Sequence, residues 1–187
     1  MKNLISILYF CIIISVACKA QKPVAKINSN QVKTSNVTYD IKKPTDTYTE
    51  IINSNNKLTA IKPLSPNLPK DISVVQNMKF SRKQLTQICA NIIPLNTLKD
   101  LPVGYGDWLS IRFKVSSMGE PLEMEFLIRN TSLVTAEEIQ KIEKAIKNST
   151  FKFTFTNGIE RFFGGVNYFN IDVPIRYIDM LKAKQNN

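Results

Sequence analysis

The chain has 187 residues, with 25 Lys and Arg against 15 Asp and Glu, a net charge of +10, a pI near 9.5, three Cys and no His. The missing histidine excludes Ser-His-Asp and Cys-His nucleophilic sites and His-ligated zinc. Such a charge would indicate nucleic acid in a cytoplasmic protein, but the basic residues are scattered rather than clustered, and they read as a solvated surface.

Residues 1–20 have the plan of a secretory signal peptide: Met1-Lys2-Asn3 as a basic start, an apolar run from Leu4 to Ala17, then small residues. That run would span about 21 Å as a helix, short of the roughly 30 Å bilayer core. Cleavage after Ala20 would leave Gln21 as the N-terminus. Cleavage before Cys18, where Val16-Ala17-Cys18 resembles the end of a lipobox, would leave a lipid-modified cysteine. Both readings place the protein in a bacterial envelope, free in the periplasm or anchored to the outer membrane through Cys18. Loss of Lys2 and Lys19 lowers the charge to +8. Cys89 then remains as the one unmodified thiol, so neither a disulfide framework nor a thiolate metal site is expected. It falls on the apolar side of a helix as a small buried hydrophobe.

Residues 21–75 read as an extended, partly disordered linker. They hold five of the nine prolines and no glycine, and their apolar residues come in bursts such as Val37-Thr38-Tyr39-Asp40-Ile41 and Thr49-Glu50-Ile51-Ile52. The alternative is that one burst adds an edge strand to the folded part.

Residues 76–183 read as the folded domain. A short strand is expected over Ile72 to Met78. Ser81 and Gln84 form a capping box, Leu85, Ile88, Cys89 and Ile92 share a helical face, and Pro94 ends the helix. A turn-rich loop runs from Asp100 to Asp107. Leu109, Ile111, Phe113 and Val115 alternate with polar residues. After a turn at Ser116–Gly119, Leu122, Met124, Phe126 and Ile128 do the same, which gives a hairpin. Arg112 and Lys114 lie opposite Glu123 and Glu125 on its solvated face. Thr135 and Glu138 cap a second helix whose stripe is Ile139, Ile142, Ala145 and Ile146. Phe151, Phe153 and Phe155 read as a third strand and Asn157-Gly158 as a hairpin-type turn. Phe169, Ile171, Val173, Ile175 and Tyr177 form one face of a last strand, and Pro174, which cannot donate to a ladder, favours an edge position or a strand end. The fold class is therefore α+β, a small antiparallel sheet packed against two helices.

The strand Ile111-Arg112-Phe113-Lys114-Val115, the Gly119 turn, the helix from Ala136, Phe151-Lys152-Phe153 and the closing Ile171-Asp172-Val173-Pro174-Ile175-Arg176-Tyr177 together resemble the C-terminal domain of the TonB energy-transducer family, over about residues 108–177. The resemblance implies a periplasmic domain that binds a short segment of an outer-membrane protein by strand addition. Carried over, it makes Asn170, Ile171, Asp172, Val173, Ile175, Arg176 and Tyr177 the partner-binding edge. The Thr156–Gly165 stretch, with Phe162 and Phe163, precedes that strand.

No Gly-rich phosphate loop is present, and no catalytic, cofactor or metal residues are assigned. An active site would instead show itself as a deep pocket gathering two or more of Asp100, Asp107, Glu123, Glu125 and Asp172. The sequence leads to a non-catalytic envelope protein with a peptide or protein partner and no nucleic acid. The alternative is a structural or accessory envelope lipoprotein of no defined ligand. Trp108, Tyr105, Phe162 and Phe163 lie beside glycines and read as loop anchors to the core, or else as an apolar contact patch.

Overall fold

The computed structural model of the chain describes residues 21–101, 104 and 107–186, so the signal peptide, Cys18 and Tyr105 lie outside the described residues. The first described segment is docked. Pro23 bridges Thr135, the Val24 N–H donates to the Val134 carbonyl at 2.9 Å, and Val24 and Ala25 are buried.

Three antiparallel strands follow: β1 (Gln31–Lys33), β2 (Thr38–Lys42) and β3 (Tyr48–Asn53). This corrects the linker expected over residues 21–75. The two apolar bursts are too short to hold a core, but as paired strands they bury Tyr39, Ile41 and Ile51 on the common core face of a larger sheet. β3 is not an edge strand either, because it pairs on its other side with β6.

Met78–Lys79 forms a two-residue strand, β4. Helix α1 (Arg82–Ile92) starts where Ser81 Oγ accepts from the Gln84 N–H at 3.1 Å. The Gln84 side chain does not reach back. It donates to Thr150 Oγ1 instead, so this cap is half of the expected box. Pro94 ends α1 and is the first cap of α2 (Leu95–Asp100), a helix that the sequence did not show. β5 (Trp108–Val115) and β6 (Pro121–Arg129) form the expected hairpin with Arg112 opposite Glu125 and Lys114 opposite Glu123. Leu122, near the strand's start, is exposed. Helix α3 (Ala136–Lys147) carries the full capping box, Thr135 N–H to Glu138 and Glu138 N–H to Thr135.

The third strand shrinks to β7 (Thr154–Phe155) and pairs with β4, outside the main sheet. Phe151 and Phe153 are core residues, stacked with Phe80 and Phe113 at ring separations of 5.2–6.3 Å, and alternation arises here from a buried aromatic cluster instead of a ladder. Asn157 and Gly158 both have positive φ, 59° and 64°, as a primed turn requires, but the chain leaves them into a short 3-10 helix at Ile159–Phe162. β8 (Phe169–Arg176) is the last strand, and Tyr177 opens helix α4 (Tyr177–Gln185) instead of extending it.

The main sheet has the order β1-β2-β3-β6-β5-β8. One row across its core face reads Ile41, Ile51, Phe126, Ile111, Val173. The helices cover that face, with α1 against α3 and α4, and α2 against α4. The fold class is α+β, with four α-helices among the described residues where two were expected. The Lys184 Nζ of α4 donates at 2.7 Å to the Ala90 and Ile93 carbonyls, capping the otherwise unpaired end of α1.

Candidate functional site

β8 lies at one end of the sheet order and pairs only with β5 among the described residues. Its burial alternates strictly, with Phe169, Ile171, Val173 and Ile175 inside and Asn170, Asp172, Pro174 and Arg176 outside. Backbone direction alternates with the same period. The Tyr177 N–H donates to the Asp107 carbonyl beside β5, which points the odd-numbered groups inward. The Pro174 carbonyl accepts from the Arg82 guanidinium on the other side, which points the even-numbered groups outward. The edge therefore presents the N–H and C=O groups of Asn170 and Asp172 to an incoming strand. It closes at Pro174, which has no N–H and whose carbonyl is already taken.

Of the expected edge residues, Ile171, Val173 and Ile175 are core side chains that contribute none of the outward groups. Tyr177 is not an edge residue. It is buried, and its hydroxyl lies 2.9 Å from that of Ser132. Burial raises the Tyr177 phenol's pKa, the Ser132 hydrogen bond opposes this, and the Asp107 charge adds to the rise. Arg176 is held by Asp179 at 2.7 Å.

The outer face of the sheet beside this edge is charged but not open. Arg112 reaches Asp172 at 3.0 Å, Glu50 at 3.2 Å and Glu125 at 3.3 Å, and Lys114 reaches Glu125 at 3.0 Å. Burial works against the Glu125 charge. Hydrogen bonds from Lys114 and Thr59, with the Lys114 and Arg112 charges, outweigh it and hold the carboxyl below its usual range. Burial likewise opposes the Arg112 charge, and Asp172 and Glu125 overcome it in favour of the cation.

Residues 57–64 cross this face as a strap. Glu123 accepts from the Lys57 and Leu58 N–H groups at 2.7 and 2.9 Å, the Tyr168 hydroxyl donates to the Leu58 and Ile61 carbonyls, and Asn167 bonds Lys62 and Leu64. Sequence reasoning missed the strap because its anchors, Tyr168 and Asn167, stand over a hundred positions away with no periodic signal.

Of the five carboxylates named above, Glu125 and Asp172 come together, on Arg112. The cavity they share with Glu50 and Ser110 has about 30 Å³, room for about one water. Asp107 is buried against Arg129, Glu123 holds the strap, and Asp100 is exposed at the end of α2. Among the described residues no group of three or more His, Cys, Asp or Glu side chains is placed to hold a metal ion. Cys89 is buried, and burial pushes its thiol up to about 12.

Phe163 is core, T-stacked on Phe155 and Phe169 at 4.7 Å, whereas Phe162 is half-buried under the Arg161 guanidinium. They do not act as one patch, and neither adds a strand to the β8 edge. Trp108 stacks on Tyr48 at 5.6 Å.

The molecule is thus a six-stranded antiparallel sheet with its helices on one face and an edge strand backed by a strapped polar face. A solved structure of a DUF5043 family protein from Bacteroides uniformis ATCC 8492 is similar to it, with a TM-score of 0.62 and 17% identity over 83% of this chain and 88% of that one. At that identity the likeness concerns the fold. No family model matches the sequence, and no curated protein matches it.

Proposed function

We propose that the protein is a non-catalytic component of a bacterial envelope that captures an extended segment of another envelope protein by strand addition to β8. The observation that supports this reading is the outward pair of backbone groups at Asn170 and Asp172, for which the described residues supply no partner. An unpaired ladder is a template for a further strand, and the alternating side chains beside it would set which strand fits. Export rests on the residues 1–20 pattern, and the mode of binding on the resemblance to the TonB C-terminal domain.

A second reading, an accessory envelope protein that adds no strand, has its own support. Pro174 and the Arg82 cap shorten the edge, as expected of a strand protected against pairing. One experiment separates the two. The Cys89 thiol is buried, so an Asn170→Cys substitution gives the mature chain one reactive thiol for a photocrosslinker, with Lys33→Cys on the opposite edge strand as control. A defined envelope protein crosslinked from position 170 and not from 33 supports capture. The same products from both positions, or none, leave the accessory reading.

A further inference from the structure

Asn170 and Asp172, the two residues whose backbone groups β8 presents outward, lie symmetrically about Ile171. An antiparallel strand satisfies them when it offers an N–H and a C=O opposite each. β8 itself has that spacing. A second copy of the chain, turned about a two-fold axis at Ile171, sets Asn170 against Asp172 of the second copy and Asp172 against its Asn170. Every outward N–H and C=O of the two residues is then paired in both strands. A two-fold interface needs this self-complementarity.

The neighbouring registers fail. A two-fold axis at Asp172 places two carboxylates directly opposite each other and sets Asn170 against Pro174, which has no N–H. An axis at Asn170 sets Asp172 against Tyr168, whose N–H already donates to the Asn167 side chain at 2.9 Å.

The side chains favour the same register. Asn170 Oδ1 accepts from Lys114 at 3.2 Å, and the Asn170 amide N–H groups have no partner among the described residues. Asp172 Oδ1 accepts from Arg112 Nε at 3.0 Å, which leaves Oδ2 free on a side chain that is 59% exposed. Each free amide donor thus stands across from a free, charged acceptor, the stronger kind of hydrogen bond. Two positions further along, Pro174 of each copy falls opposite Tyr168 of the other. The strap passes there, with the Tyr168 hydroxyl on the Ile61 carbonyl and the Asn167 side chain on the Leu64 N–H. Ile61 and Leu64 are 48% and 56% exposed, and they meet the exposed Pro174 ring of the second copy on the outer face.

We propose that the protein forms a two-fold dimer through β8, joining two six-stranded sheets into one. The proposal goes beyond capture. The dimer closes on the same backbone groups, so a segment of another protein has to displace the second copy, and an unoccupied edge is not left open to indiscriminate pairing. A ladder this short makes a small interface of the exchangeable kind.

Sedimentation equilibrium of the purified mature protein is expected to show monomer and dimer in exchange. Asn170→Asp sets carboxylates side by side across the axis. It removes two hydrogen bonds to a charged group, each worth about tenfold, so the dissociation constant should rise by about a hundredfold or more. Adding Asp172→Asn to that variant puts donor opposite acceptor again and should restore the dimer, which an effect confined to one chain would not do. Ile61→Ser with Leu64→Ser, both at exposed positions, should weaken it by about tenfold. Melting curves close to wild type show that the variants fold. A monomer at every concentration up to about 1 mM overturns the proposal, as does a dimer that is indifferent to Asn170→Asp or that the exchanged pair fails to restore. The β8 backbone is intact in all these variants, so capture is judged separately by crosslinking from position 170. There a product of two copies of this chain counts as the dimer, and a different envelope protein counts as capture.

Discussion

The perturbation that best tests the architecture is Glu143→Ala on α3. Glu143 is 4% exposed, and its carboxylate accepts from the Tyr39 hydroxyl at 2.8 Å, the Asn53 amide at 3.1 Å and Lys147 at 2.8 Å. Those bonds join β2 and β3 to the helix layer. Truncation leaves the buried Tyr39 hydroxyl and Asn53 amide without their acceptor, at about 1–3 kcal/mol each. The Lys147 ammonium is 39% exposed and adds at most about 1 kcal/mol. The sum is about 4 kcal/mol, a large part of the 5–15 kcal/mol typical of a domain and about 8–16 °C in Tm for a chain of this size. Urea denaturation reads the loss, and Tyr39→Phe, which keeps Glu143 on Asn53 and Lys147, should cost about 1 kcal/mol. Because the two residues share one bond, their double mutant should fall short of additivity by about 0.5–3 kcal/mol. Hydrogen exchange should show β2 and β3 loosening before β5 and β6. A Glu143→Ala loss below about 1 kcal/mol, or strict additivity with Tyr39→Phe, would refute the view that this carboxylate pins the N-terminal strands.

Three further outcomes are expected. Gly119 has φ +84°, and a Cβ there would lie 1.9 Å from the Phe153 carbonyl oxygen, so Gly119→Ala should lower stability by about 3 kcal/mol or more in thermal melts. Lys184→Met removes the charged cap from the α1 carbonyls and should cost about 1.5–3 kcal/mol, read by urea denaturation, with faster amide exchange in the last turn of α1. Alkaline titration should destabilise the fold. Burial raises Cys89 from its ordinary 9.0 to about 12, and burial also raises Tyr39 and Tyr177, so the folded state retains protons that the unfolded chain loses. That stability is full below pH 9 and lost as pH rises towards 12. A melting temperature flat across pH 8–11, or native Cys89 alkylated as fast as the unfolded thiol, would contradict this.

The parts of the fold that were legible share one property, that their cause is local. The Thr135–Glu138 box, the Pro94 stop and the alternation of β5, β6 and β8 each lie within a dozen residues, where caps and periods operate. Phe151 and Phe153 show how the same signal misleads. An alternating aromatic run satisfies a buried cluster against Phe80 and Phe113 as well as it satisfies a strand. At the candidate site, Pro174 pointed in advance to an edge position or a strand end, without deciding between them. Which of its groups face outward depended on the Asp107 and Arg82 contacts, and Arg82 lies 92 positions away. Tyr177 had the right spacing for the strand face, but its hydroxyl found Ser132 and the chain turned there into α4.

By itself the sequence determined the α+β class, the central hairpin, the two capped helices and the last strand, because each is selected by neighbours within a few residues. Only the tertiary structure decided that residues 31–53 join the sheet, that residues 57–64 strap its polar face and that β8 is left at the edge. Those outcomes depend on pairings such as Tyr39 with Glu143 and Leu58 with Tyr168, more than a hundred positions apart. Short bursts like Tyr39-Asp40-Ile41 become strands only when a partner buries them, and a local period carries no information about which partner that will be.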